Sequence, residues 1–252
     1  MSLGTVIVTG ASRGIGAATA IGAARRGYDV LVNFAGNRGA AQTVVGAVEE
    51  AGAKAVAVQA DVSRPEDVKR IFEAADAMAP LVGLVNNAGI VAPAMRVDEM
   101  DVERIERILA VNVTGTMLCA IEAVKRMSTR HGGKGGAIVN LSSAAAKLGA
   151  PSTYVDYAAA KGAIDSFTVG LALEVAGEGI RVNAVRPGII ATDIHAAGGD
   201  PDRAHRIASS LPIPRAGTAE EVANAILWLL SEEASYSTGT ILAVTGGRAI
   251  AP

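Results

Sequence analysis

Tyr157 and Lys161 stand four residues apart in Tyr157-Ala158-Ala159-Ala160-Lys161. On a helix that spacing places both side chains on one face. A free phenol ionises near pH 10, too high for an effective base at neutral pH. A neighbouring ammonium favours the phenolate and lowers that value. The pair is a candidate proton donor and acceptor for chemistry at an alcohol or carbonyl oxygen. A solvated pair on a helix surface is the plainer alternative. Tyr154 has Ala158, not a lysine, four residues on and is set aside as a decoy. Asp156 is expected to be a solvated or capping acid. Two hydroxyls, Ser142 and Ser143, precede Tyr157 and could donate to a substrate oxygen as charge develops on it.

A second group has the spacing of an anion cradle: Thr9-Gly10-Ala11-Ser12-Arg13-Gly14-Ile15-Gly16. It follows a β-branched run, Thr5-Val6-Ile7-Val8, and opens an amphipathic stretch. Gly10 permits a tight turn, Gly14 lets backbone approach a pyrophosphate, and Gly16 lets the helix pack closely on the sheet. The helix N-terminus then aims N–H groups at the anion. Three glycines alone are weak evidence, but the strand before and the helix after supply the context a dinucleotide-binding loop requires.

These residues need a frame to hold them. Apolar runs at 5–8, 30–33, 55–58, 84–85, 137–140, 181–185 and 241–244 read as strands buried on both faces. Helix candidates lie at about 15–27, 39–51, 66–78, 100–130, 157–177 and 219–231. Ser63 is a candidate cap before Pro65, Thr218-Ala219-Glu220-Glu221 reads as a capping box, and Gly27, Gly52 and Gly179 punctuate helix ends. The alternation predicts an α/β fold: a single-domain, Rossmann-type, doubly wound parallel sheet of seven strands with helices on both faces. A (β/α)8 barrel shares the alternation, and the glycine loop argues against it. The stretch 188–217 reads as irregular, so about 189–216 is expected to cover the substrate, with Ile194, His195, Ala196, Leu211, Pro212 and Ile213 in it.

Composition removes other classes. The 252 residues carry 23 basic and 25 acidic side chains, a net charge of -2, so no basic field favours nucleic acid or an anionic membrane. Single Cys119 cannot close an intrachain disulfide, and with three scattered His it makes no metal site. No stretch of about 18 strongly apolar residues and no signal-peptide pattern is read, so a cytoplasmic location is expected.

More motifs follow in order: Asn86-Asn87-Ala88-Gly89 after the fourth strand, Asn112 in the long helix, Ser142-Ser143 after the fifth strand, and Pro187-Gly188 after the sixth. With the Thr-Gly-x-x-x-Gly-x-Gly loop and Tyr157/Lys161, the chain resembles the short-chain dehydrogenase/reductase family over essentially its whole length. The resemblance implies a catalytic set of Asn112, Ser143, Tyr157 and Lys161, with Ser142 the alternative hydroxyl. Lys161 would also bond the nicotinamide ribose, and the backbone of Asn112 would hold a water linking Lys161 to solvent. Asp61 matches the residue that bonds the adenine amino group, and Asn87 and Ile190 match backbone-level contacts. The full implied cofactor set is Gly10, Ser12, Arg13, Gly14, Ile15, Gly16, Asn33, Arg38, Asp61, Val62, Asn87, Ala88, Gly89, Tyr157, Lys161, Pro187, Gly188, Ile190 and Thr192.

NAD-specific members place Asp at the end of the second strand; here Phe34 holds that position. With Arg13 and Arg38 nearby as phosphate partners, NADP(H) is preferred and NAD(H) remains possible. The expected substrate is a small carbonyl or alcohol, and the resemblance implies a homotetramer built on the long helices and the last strand. Two alternatives stand. One is a dinucleotide-binding sensor or scaffold without catalysis. The other is a reductase of 3-oxoacyl groups on a carrier protein, disfavoured because Leu173 stands where such reductases carry Arg, though Lys125, Arg126 and Arg130 could partly replace it.

Overall fold

The structure, a computed structural model, describes residues 2–249; the side chain of His195 lies outside the described residues. Seven strands form one sheet: β1 Thr5–Val8, β2 Asp29–Phe34, β3 Ala55–Gln59, β4 Leu81–Asn86, β5 Gly136–Leu141, β6 Ile180–Pro187 and β7 Ile241–Val244. Their order is β3-β2-β1-β4-β5-β6-β7, and every neighbouring pair is parallel. The sheet therefore winds outward both ways from the β1/β4 boundary, as the doubly wound reading requires.

Successive strand residues serve opposite cores. Val6, Val8, Val30 and Val32 pack with α1 (Gly14–Arg25), α2 (Arg38–Glu50) and α10 (Ala219–Leu230). Ile7, Leu31, Leu84 and Ile138 face α3 (Pro65–Asp76), α5 (Gly115–Met127) and α7 (Val155–Val175). This double burial explains why the strands read as unbroken apolar runs. The Thr218 capping box forms as expected, and Gly27, Gly52 and Gly179 all take left-handed φ.

Several local expectations are corrected. Arg64, not Ser63, precedes α3, and the Ser63 hydroxyl turns back to Asp61 at 2.7 Å. The long helix is α4 (Val102–Leu109) and α5 joined through a five-residue π segment, Ala110–Thr114. By length and composition Val102–Met127 could cross a membrane, although charged residues at both ends leave no uncharged run of 18. It is instead partly buried against β4, α3 and α7. The stretch 188–217 is not wholly irregular. It holds α8 (Ile194–Ala197) and α9 (Arg203–Ala208), and its ends are zipped by a parallel bridge between Ile190 and Gly217. A further short helix, α6 (Ala145–Leu148), follows β5.

Three buried polar links fix α7 to the rest. The Asn86 amide donates to Asn140 Oδ1 at 2.9 Å, and the Asn140 amide donates to Thr168 Oγ1 on α7 at 3.0 Å. Arg186 on β6 donates twice to Asp165 Oδ2, at 3.1 and 2.6 Å. Arg104 on α4 donates to Asp156 at 2.8 and 3.4 Å, with side-chain exposures of 9% and 4%. Asp156 also accepts from the Tyr157 backbone N–H at 2.9 Å. Asp156 is therefore a buried anchor at the start of α7 and not a solvated acid. Losing one partner of such a pair costs far more than an exposed bridge contributes, because it leaves an uncompensated buried charge.

Candidate active site

The loops after β1 and β4 are joined by side chains. The Asn87 amide donates to the carbonyls of Thr9 and Gly10 at 2.8 and 3.0 Å. The Thr9 hydroxyl accepts from the backbone N–H groups of Asn87 and Ala88, both at 3.0 Å. This clasp explains two glycines differently from the sequence reading. A Cβ on Gly16 would lie 2.5 Å from Asn87 Nδ2 and 2.6 Å from the Gly10 oxygen. One on Gly10, whose φ is +61°, would lie 2.8 Å from Ala88 Cα. Both glycines make room for the neighbouring loop. Gly188 likewise admits Thr245, whose Cα would stand 2.8 Å from an added Cβ.

Asn33 is buried, accepts from Gly10 N–H at 3.2 Å, and donates to the Val58 and Ala60 carbonyls at 3.3 and 3.0 Å. Its side chain holds the glycine loop from behind. Phe34 is buried in the core, so no carboxylate stands at the end of β2. Arg38 opens α2, exposed and without a carboxylate partner among the described residues. Arg13 is largely exposed and stands 3.8 Å from Asp193 of the covering segment. Asp61 accepts from Ser63 through one oxygen and from Arg107 through the other, at 3.1 Å. Burial tends to raise its carboxyl, but those bonds win and hold it below its ordinary value. Val62 is buried against Gly115. Ser12 is half-buried in the loop.

A groove of about 110 Å³ runs from the glycine loop to Tyr157 and Lys161. It brings together Ile15, Asn87, Gly89, Ser143, Tyr157, Lys161, Pro187, Gly188, Ile190 and Thr192. A Cβ on Gly89 would stand 2.7 Å from Asn112 Oδ1 and 3.5 Å from Lys161 Nζ, so the backbone there lies directly against the site. Fully buried Asn112 sits in the π segment. Its amide donates to the Ile90 and Ile108 carbonyls, and its oxygen accepts from Ile90 N–H. Asn112 thus holds the loop that Gly89 belongs to.

Of the two serines, Ser142 is buried and donates to the Lys161 carbonyl at 3.3 Å. Ser143 lines the groove beside Tyr157, and its hydroxyl accepts from the Ala145 N–H at 3.1 Å. Lys161 donates to the Leu141 carbonyl at 2.6 Å, and its Nζ lies 5.6 Å from the Tyr157 ring centre. Burial pushes the Tyr157 phenol up to about 12, against the pull of the nearby Ser143 hydroxyl. Burial pushes Lys161 down to about 8, opposed by the charge of Asp165. The expected lowering of Tyr157 by Lys161 is therefore absent: desolvation outweighs the ammonium, which is turned toward Leu141. Cys119 is wholly buried, and burial pushes its thiol up to about 12, consistent with packing and not nucleophilic use.

A second cavity, of about 130 Å³, adjoins the groove at Ser143, Tyr157, Gly188 and Ile194. Sequence reasoning did not single out Val91, Tyr154 or Arg248 in its wall, and placed Arg203 only within the covering segment. Tyr154 has no lysine four residues on, yet it shapes this cavity. Its ring packs edge-on to Tyr157 with centres 6.4 Å apart, and the Arg203 guanidinium lies 5.3 Å from the Tyr154 ring centre. Of the described residues in the segment expected to cover the substrate, Ile189, Ile194 and Arg203 line this cavity. Ile213 is exposed, and Leu211 is buried elsewhere.

Residues 10–249 match the family model described as enoyl-(acyl carrier protein) reductase. The chain is 55% identical to the uncharacterized oxidoreductase YgfF of Escherichia coli, over 96% of this chain and 98% of that one. It is 41% identical to 3beta-hydroxysteroid dehydrogenase 1 of Eggerthella lenta, over 98% of this chain and 94% of that one. Acetoin dehydrogenase YohF of Salmonella typhimurium superposes with a TM-score of 0.87 at 32% identity, covering 100% of this chain and 99% of that one.

The two shifted groups make stability depend on pH with opposite signs. The unfolded chain keeps the Lys161 proton to about 10.5 and the folded chain only to about 8, so stability rises with pH between those values. The Tyr157 phenol reverses the sign from about pH 10 to about 12. In urea unfolding between pH 7.5 and 10, Lys161→Met should lose a rise on the order of 3 kcal/mol that the parent shows. Parallel profiles for the two proteins would refute this assignment.

Proposed function

The chain belongs to the short-chain dehydrogenase/reductase family of NAD(P)-dependent oxidoreductases, and we propose that it interconverts a secondary alcohol and a ketone, preferring NADP(H), with Tyr157 carrying the proton. The observation that supports this most is the shared wall of groove and cavity, where Ser143 and Tyr157 stand together at the end of a channel leading from the glycine loop. That channel fits an extended dinucleotide, because Gly89 leaves its backbone bare beside Lys161. When bound, the reduced nicotinamide supplies a hydride to the carbonyl carbon. Ser143 donates a hydrogen bond to the carbonyl oxygen, and Tyr157 gives that oxygen its proton. In the reverse direction the phenol takes the alcohol proton. Lys161 and the buried Asn112 position the phenol and the loop beside it. Cationic charge beside Tyr157 must overcome the desolvation that holds the phenol near 12.

A dinucleotide sensor without catalysis would not need both Tyr157 and Lys161 at the cavity wall, and both stand there. Docking of an acyl carrier protein finds little support. Leu173 is exposed, and the basic side chains that could replace an arginine there are internally paired. Lys125 meets Glu122, Arg126 meets Asp76 and Glu122, and Arg130 meets Glu178.

Tyr157→Phe should lower kcat by about 1,000-fold or more with dinucleotide affinity preserved, measured by absorbance of the reduced nicotinamide and by direct titration. Unchanged turnover would remove Tyr157 from the chemistry. Arg38 and the absence of a carboxylate at the end of β2 support NADP(H). Arg38→Ala should weaken NADPH about tenfold and leave NADH nearly unaffected; tighter binding of NADH by the parent would overturn the preference. Exposed Val102, Ile105, Leu109, Ile121, Val169 and Leu173 on α4, α5 and α7 support assembly of copies into a homotetramer through these helices. Sedimentation velocity should show four copies in the parent and fewer after Leu173→Arg; a monomeric parent contradicts the assembly.

A further inference from the structure

The cavity beside Tyr157 is cationic. Arg203 and Arg248 line it, and no Asp or Glu does. Both guanidinium-bearing residues are half-buried, and among the described residues neither has a carboxylate or side-chain hydrogen-bond partner. Arg203 has only the face of Tyr154. Taking a cation out of water without a counter-charge is unfavourable, and placing two in one cavity adds repulsion. Burial, and then the charge of Arg203, pull Arg248 below its ordinary value. An anion in the cavity would relieve both effects at once. Guanidinium groups also match a carboxylate in shape, donating paired N–H bonds to its two oxygens.

Position supplies the rest. Ser143 and Tyr157 form one part of the cavity wall, and Tyr154 connects them to Arg203. The cavity of about 130 Å³ holds roughly four waters' worth of volume, which suits a molecule of a few carbons. Resting on the alcohol–ketone reading above, we propose that the substrate is a small oxo acid or its hydroxy acid, with its carboxylate held by Arg203 and Arg248 and its carbonyl or carbinol at Ser143 and Tyr157. The two arginines set specificity; they do not touch the reacting carbon.

The test compares 3-oxobutanoate with its methyl ester and with 2-oxopropylphosphonate, using NADPH and NADH. The parent should favour the acid over the ester by about 100-fold in kcat/KM, because the ester leaves the arginines unpaired. Arg203→Gln and Arg248→Gln should each raise KM for the acid about tenfold and KM for the ester far less, and the double variant should bring the acid-to-ester ratio close to unity. Lysine at either position should restore part of the preference. An ester used as well as the acid, or a ratio unmoved in the double variant, overturns the proposal. A phosphonate used as well as the acid overturns the carboxylate assignment. A calorimetric titration of butanoate into dinucleotide-loaded protein separates this inference from the reading it rests on. Arginine-dependent butanoate binding without turnover of any carbonyl leaves the anion site standing and removes the oxidoreductase mechanism. Equal turnover of acid and ester does the reverse.

Discussion

At the β1/β4 boundary two strands run side by side and their following loops diverge to opposite faces of the sheet. The crevice between those loops is the only reason the site lies where it does. It is held open at a defined width by the amide of Asn87 and the hydroxyl of Thr9, which together make four bonds across it. Each such bond contributes about 1 kcal/mol net, but a loop carbonyl left without its donor costs about 1–3 kcal/mol. The asymmetry makes the clasp restrictive. It also passes the constraint outward. Gly10 and Gly16 must be glycine because the clasped loop occupies the space of a Cβ. Gly89, two residues beyond Asn87, is thereby laid against Asn112 and Lys161.

The electrostatics of the pair follow from how deeply that geometry buries it. Two opposing influences act on Tyr157 and Lys161, and desolvation is the larger for both. Lys161 is the more revealing group. Its ammonium bonds the Leu141 carbonyl, and the nearest charge that favours its protonated form is Asp165, one helical turn on. Asp165 itself is divided: Arg186 engages Oδ2, while Oδ1 is buried without a partner. Burial thus favours the neutral phenol, and in the proposed reaction its activation falls to charge brought in with a ligand. A site that ionised its tyrosine permanently would lose the proton needed for reduction.

The architecture was legible because buried parallel strands leave a strong signature. Runs such as Val30-Leu31-Val32 need no partner residue to be recognised, and helix-ending glycines announce a backbone conformation directly. The local order of Tyr157, Lys161 and Ser143 was legible for the same reason, since one helix and one strand end carry it. Contacts between distant segments were not. Asn33 reads as a cofactor contact, and only the fold shows β3 and the glycine loop closing over its amide. Asp156 reads as a surface acid until Arg104, 52 residues away, is folded against it. The short helices α8 and α9 lack side-chain caps, so little in their own sequence marks them.

Charge shows the same division between sum and arrangement. A net charge of -2 describes how the protein is seen from a distance and says nothing about a cavity a few ångströms across. Arg13, Arg104, Arg107, Arg126 and Arg186 are each matched by a carboxylate of the chain. A solvated arginine such as Arg38 needs no such match, because water stabilises it. Arg203 and Arg248 fall in neither class, being half-buried and lining a cavity without an acid. The face of Tyr154 can return about 1 kcal/mol to Arg203, and Arg248 has no equivalent. Packing alone would be served as well by neutral side chains in that wall, so the persistence of two cations there is most simply accounted for by a negative charge that visits it. The small apolar surfaces around them, Val91, Leu148 and Ile189, then act to exclude water and strengthen that encounter.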